Sequence, residues 1–128
     1  MNISFDVDGT LLDDFDGSPN KQKEEIQSLA KKHLASGDNV FIITKRYGPE
    51  FLNEGIKNEH LIVYQLANSL GIPIEKCHFT NRDWKVATIL KLNIQRHYEN
   101  SDKEVKMCQD AGIEVIPVED PYWRDLVY

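Results

Sequence analysis

The run Val40-Phe41-Ile42-Ile43, closed by Thr44, constrains the fold more than any other stretch of this chain. Successive side chains of a strand point to opposite faces, so an unbroken apolar run suits a strand covered on both sides, as in a parallel sheet. Strand-like and helix-like patterns alternate around it. Ile3, Phe5 and Val7 alternate with polar residues and predict a first strand within 1–7, followed by a loop over 8–20 rich in Asp, Gly, Ser, Pro and Asn. Ile26, Leu29, Ala30 and Leu34 recur at helical spacing within 21–36, and Gly37 supplies a stop. Beyond the apolar run, Pro49 opens a short helix ending near Gly55, and a longer one spans 59–70 before Gly71. A short strand follows over 77–80, then a helix capped by Asp83 that carries Val86, Ile89, Leu90 and Leu92. The remaining elements are a strand over 94–99 weakened by polar Gln95, Arg96 and His97, a helix over 101–111 stopped by Gly112, and a strand over 113–118. The tail EDPYWRDLVY reads as an extension packed on the surface.

Alternation with short connections predicts right-handed βαβ crossovers. The expected fold class is therefore α/β, a three-layer α/β/α sandwich on an open parallel Rossmann-like sheet of about five strands. A chain of 128 residues, 41% hydrophobic and 28% charged, suits one globular domain over 1–128 with no cap domain. The net charge of -6 argues against a general nucleic-acid coat, which needs basic surface. Cys77 and Cys108 lack metal-ligand spacing and read as buried or inert thiols rather than a disulfide. Met1 runs almost directly into a strand, and no apolar run approaches the roughly 20 residues that span a bilayer. The expectation is a cytoplasmic protein without a membrane partner.

In open α/β sheets ligands gather at the carboxyl ends of the strands. Asp6 and Asp8 follow the first strand, Thr44 the second, and Glu99-Asn100-Ser101-Asp102 the fourth; Lys85 opens the helix after the third. Two adjacent carboxylates repel each other unless a cation or a reaction uses them, and Mg²⁺ prefers such hard oxygen ligands. Thr44 offers a hydroxyl, Lys85 a mobile charge for phosphate oxygens, and Lys45 and Arg46 two more cations beside Thr44. Lys91 and Arg82 are rivals to Lys85, Asp102 is a reserve carboxylate, and His97 is either a site residue or a structural one.

On these residues the chain resembles the haloacid dehalogenase superfamily of phosphohydrolases, in its small capless form. FDVDGTL resembles the first motif of that family, VFIIT the second, Lys85 the lysine of the third, and HYENSDKEV the fourth. The resemblance implies a phosphate-monoester hydrolase in which Asp6 is the nucleophile and Asp8 the general acid/base. Thr44, Lys45 and Lys85 then bind phosphate, with Thr44 and Lys85 taking part in catalysis, and Mg²⁺ sits on Asp6, Asp8, Glu99 and Asn100. The fourth motif departs from the family pattern, because the usual pair of aspartates is Glu99-Asn100 here and carries one charge fewer. That departure motivates an alternative, a weakly active or non-catalytic module that binds metal or phosphate. With no room for a cap, the open site is expected to suit a large phosphorylated substrate, such as a phosphoprotein or nucleic-acid end; nucleotides and small phosphorylated metabolites are also compatible. A receiver-like signalling domain would need a phospho-accepting Asp at the end of a middle strand, and none follows Ile42-Ile43 or Phe79.

Overall fold

A computed structural model describes residues 1–51 and 58–128. Its strands are β1 (Asn2–Phe5), β2 (Asn39–Thr44), β3 (Cys77–Phe79), β4 (Arg96–Glu99) and β5 (Glu114–Pro117). The helices between them are α1 (Lys23–Ala35), α2 (His60–Leu70), α3 (Val86–Lys91) and α4 (Asp102–Asp110). All strand pairs are parallel, in the order β3-β2-β1-β4-β5. The fold is thus α/β with helices on both faces of a parallel sheet, as the alternation predicts.

Side-chain period divides the core. Ile3 and Phe5 of β1 and Val40 and Ile42 of β2 pack with α1 and α2, through Ile26, Leu29, Val63 and Leu66. On the other face Ile43 joins Ile89 of α3, Val105 and Cys108 of α4, and Val115 of β5, with Phe41 packed against them. Both cysteines are free, and burial pushes the Cys77 thiol up to about 11 and the Cys108 thiol to about 12, which leaves both as unreactive thiols. No helix among the described residues is long and apolar enough to cross a membrane.

Several boundaries differ from the sequence reading. β1 ends at Phe5 because Val7 turns inward and accepts backbone bonds from Thr10 and Leu12, folding the following loop back on itself. Asp83 does not cap α3; Lys85 occupies the cap position and Asp83 bonds the adjacent Trp84 amide. The short helix expected from Pro49 to Gly55 falls mainly on residues 52–57, outside the described residues, while Pro49 and Glu50 form a turn. The tail is anchored more deeply than a surface extension: Trp123 is fully buried in the α1/α2 core, and Arg124 grips Glu25 of α1 at 2.7 Å.

Candidate functional site

Strand register delivers the site. Phe5 lies beside Ile42 of β2 and Tyr98 of β4, so the next residue, Asp6, emerges next to Glu99. The Asp6 amide still bonds the Tyr98 carbonyl at 2.9 Å, which holds the start of the loop to the sheet. Ser4 and Asp6 share one face of β1, while His97 and Glu99 share one face of β4, with Ser4 paired directly to His97. Lys85 reaches this face from the start of α3.

A continuous buried chain results. Lys85 Nζ lies 2.7 Å from Asp6 Oδ1 and 2.9 Å from Glu99 Oε1. His97 Nε2 stands 2.9 Å from the same Glu99 oxygen, and His97 Nδ1 stands 2.7 Å from Ser4 Oγ. A carboxylate only accepts, so Nε2 is the donating nitrogen toward Glu99. Burial and the neighbouring Glu99 charge push the Asp6 carboxyl well above its ordinary value, with Lys85 pulling the other way. Burial alone would raise Glu99 too, but Lys85 and His97 outweigh it and hold that carboxyl down at about 2. Burial opposes the charge on Lys85, yet Asp6 and Glu99 hold its ammonium well above the ordinary lysine value. Two buried carboxylates therefore share one ammonium, and Glu99, which also has His97, keeps its charge the more readily.

A pocket of about 460 Å³ opens above this chain, lined by Asp6, Asp8 and Asn100 together with Lys45, Arg46 and Lys85. Gly9 adopts φ +80°, open to glycine at little cost, and a Cβ there would run into the Asn100 side-chain amide. Its absence lets Asn100 lie against the loop that carries both aspartates. The oxygens of Asp6, Asp8 and Asn100 are the donors that could hold a hard cation in this pocket. Among the described residues, no group of three or more His, Cys, Asp and Glu side chains is placed to hold a metal ion.

The expected site residues divide into those that meet at the pocket and those that stand back. Asp6, Asp8, Lys45, Lys85, Glu99 and Asn100 all line it. Glu99, however, has Oε1 on Lys85 and His97 and accepts the Ser101 amide on Oε2 at 3.1 Å, so the protein itself occupies both oxygens. Thr44 is 1% exposed, does not line the pocket, and accepts the Arg46 amide on its hydroxyl at 3.2 Å. Arg46 in turn donates to both Asp8 oxygens, at 2.7 Å and 3.0 Å.

Four contributors were not singled out by sequence. Thr10 donates to Asp6 Oδ2 at 3.2 Å, and buried Glu104 accepts the Lys85 amide. Ser4 continues the chain below His97, and Phe15 lies at the pocket mouth. Glu104 does carry a signal, since Ser101-x-x-Glu104 has capping-box spacing; Ser101 Oγ accepts the Glu104 amide. Its side chain leaves that box for Lys85, a choice that depends on where α3 packs. The chain matches no protein-family model and no curated protein with which it was compared.

Proposed function

We propose that this chain is a Mg²⁺-dependent phosphatase that hydrolyses a phosphomonoester through an aspartyl-phosphate on Asp6. The observation that carries the reading is the 2.7 Å approach of buried Lys85 to Asp6, at the end of the central strand and in the wall of an open pocket. A phosphate ester is anionic and repels a carboxylate nucleophile, so such an attack needs a cation fixed beside it. Lys85 has that place.

The all-oxygen set from Asp6, Asp8 and Asn100 suits Mg²⁺, and the missing Cβ at Gly9 leaves room for the neutral Asn100 side chain against the loop that carries both aspartates. Glu99 is fully buried and accepts from Lys85, His97 and the Ser101 amide, so in this reading its charge acts through the lysine. Bound there, Mg²⁺ would offset the charge of the phosphate.

In the first half-reaction an Asp6 oxygen bonds to phosphorus, the ester O–P bond breaks, and Asp8 gives its proton to the leaving oxygen. In the second, Asp8 takes a proton from water as the water oxygen bonds to phosphorus. The acyl-phosphate bond then breaks, releasing inorganic phosphate and free Asp6. Thr10 and Lys85 fix the plane of the nucleophile. Thr44 sets the turn that aims Lys45 and Arg46. A protonated carboxyl cannot accept both Arg46 bonds, so Arg46 must release Asp8 before proton transfer, and an incoming phosphate competes for that guanidinium.

The same Arg46–Asp8 clasp favours a second reading, a phosphate- and metal-binding module with little or no turnover. Hydrolysis of p-nitrophenyl phosphate with Mg²⁺ separates the two. The phosphatase reading expects turnover that falls at least about a thousandfold in Asp6→Asn. Undiminished turnover in that variant contradicts it. Calorimetric binding of Mg²⁺ and phosphate without turnover on any substrate selects the module.

A further inference from the structure

Beside its cations the pocket mouth carries exposed aromatic rings that phosphate transfer leaves unused. Phe15 is 58% exposed, and the guanidinium groups of Arg46 and Arg82 lie 4.9 Å and 5.3 Å from its ring centroid. Trp84 is 42% exposed, with Lys45 Nζ 3.8 Å from its ring centroid. Among the described residues, the sole carboxylate within salt-bridge reach of that ammonium is Glu104, at 3.7 Å. Arg82 donates to the Lys45 carbonyl and pairs with Glu59, which ties the two aromatic–cation groups together. In a chain of net charge -6, Lys45, Arg46, Arg82 and the exposed Phe15 line one opening that carboxylates line as well, and Trp84 stands outside that lining, against Lys45.

Aromatic faces flanked by cations serve a ligand that is both planar and anionic, because bases stack on the rings while phosphates meet the positive charge. A sugar phosphate or a phosphoserine has no flat group to place there. We infer that the mouth formed by Phe15, Lys45 and Arg82, with Trp84 beside it, selects a nucleoside phosphate, either a free nucleotide or the phosphorylated end of a nucleic-acid strand. The inference rests on the proposed reaction for the position of the reacting phosphate, at Asp6 and Lys85. The nucleobase then lies outward, against Phe15.

The molecule carries its own reporter. Trp123 is fully buried, so a ligand that engages Lys45 at the mouth alters the emission of Trp84, whose ring Lys45 covers. The test titrates the Asp6→Asn protein, with Mg²⁺ present, with adenosine monophosphate, with a short deoxyadenosine oligonucleotide bearing a terminal phosphate, and with ribose phosphate, which lacks the base. Trp84 emission should change saturably with both base-bearing ligands, and both should bind at least about tenfold tighter than ribose phosphate. Phe15→Ala and Lys45→Ala should each weaken the base-bearing ligands several-fold. Tighter binding of the oligonucleotide identifies a strand end, and equal binding a free nucleotide. Equal affinity for ribose phosphate, or base-bearing affinities unmoved by both substitutions, overturns the inference. Turnover by the unsubstituted protein is scored separately. Hydrolysis without base preference defeats only this inference, and base-dependent binding without hydrolysis defeats only the phosphatase reading.

Discussion

Asp6 and Glu99 are close enough to contend for a single lysine, and the outcome of that contest sets the charge of the site. Lys85 touches both, but Glu99 also has His97 and the Ser101 amide, so Glu99 keeps its charge more readily. The stability consequence has a definite sign. The Glu99 value in the folded chain, about 2, lies below its ordinary 4.5, so its contribution is present above 4.5 and is lost as pH falls toward 2. Asp6 has the opposite sign, since its folded value lies above its ordinary 3.8, and protonation relieves the site as pH falls to that point. Below pH 3.8 Asp6 contributes no further change. Between pH 3.8 and pH 2 the unsubstituted protein should therefore lose stability relative to Glu99→Gln, by on the order of 2 kcal/mol. Urea denaturation in metal-free buffer across that range checks it, and a gap independent of pH contradicts it.

At the scale of elements, the site depends on where β1 stops. The turn after Phe5 throws Asp8 and Gly9 over the strand end, and the positive φ of Gly9 admits the Asn100 side chain from the end of β4. Gly9→Ala meets both obstacles, a left-handed backbone that costs a side-chain-bearing residue about 1–2 kcal/mol and a clash with Asn100. The variant should lose about 2 kcal/mol or more of stability and bind Mg²⁺ more weakly, read by denaturation and by calorimetry. Unaltered Mg²⁺ affinity would remove Asn100 from the proposed ligand set. The element level also shows why some of the site was legible. Residues at strand ends are marked by the apolar runs before them, so Asp6 and Asp8 could be found by position; Lys85, beyond β3 at the start of α3 with Arg82 and Lys91 as rivals, could not be singled out that way. The chain Ser4–His97–Glu99 could not, because it depends on register between strands separated by more than 90 residues in sequence. Polar Gln95, Arg96 and His97 weakened the reading of β4 as a strand, yet His97 turns inward on the same face as Glu99. Both are fully buried, and each is satisfied by a partner that the local sequence does not reveal.

For the whole molecule, alternating patterns with short connections left little choice of architecture, and the parallel sheet follows them. The tail packs more deeply than a surface extension because Trp123 turns into the core, while its other large apolar residues Tyr122, Leu126 and Tyr128 stay exposed. Trp123 alone supplies most of its anchor, filling the core on the α1/α2 face, while Arg124 and Tyr128 both reach Glu25 of α1. Trp123→Ala should cost about 3–5 kcal/mol, since a large buried ring is lost and the cavity collapses only in part. A shift in the urea midpoint with an unchanged slope measures it; a cost under about 1 kcal/mol would mean that the tail is a dispensable cover. The grouping of Lys45, Arg46 and Arg82 about exposed Phe15 also belongs to this scale, because an acidic chain brings these cations to an opening that carboxylates line as well.

The central claim concerns a covalent bond at one carboxylate, and chemical trapping tests it most directly. The protein is mixed with Mg²⁺ and a phosphomonoester that it turns over, quenched rapidly in acid and reduced with borohydride, which converts an aspartyl-phosphate to homoserine. Peptide mass spectrometry should then find homoserine at Asp6, dependent on substrate, with Asp8 unmodified. Phosphate release with no modification at Asp6, or modification at another carboxylate, would contradict the account.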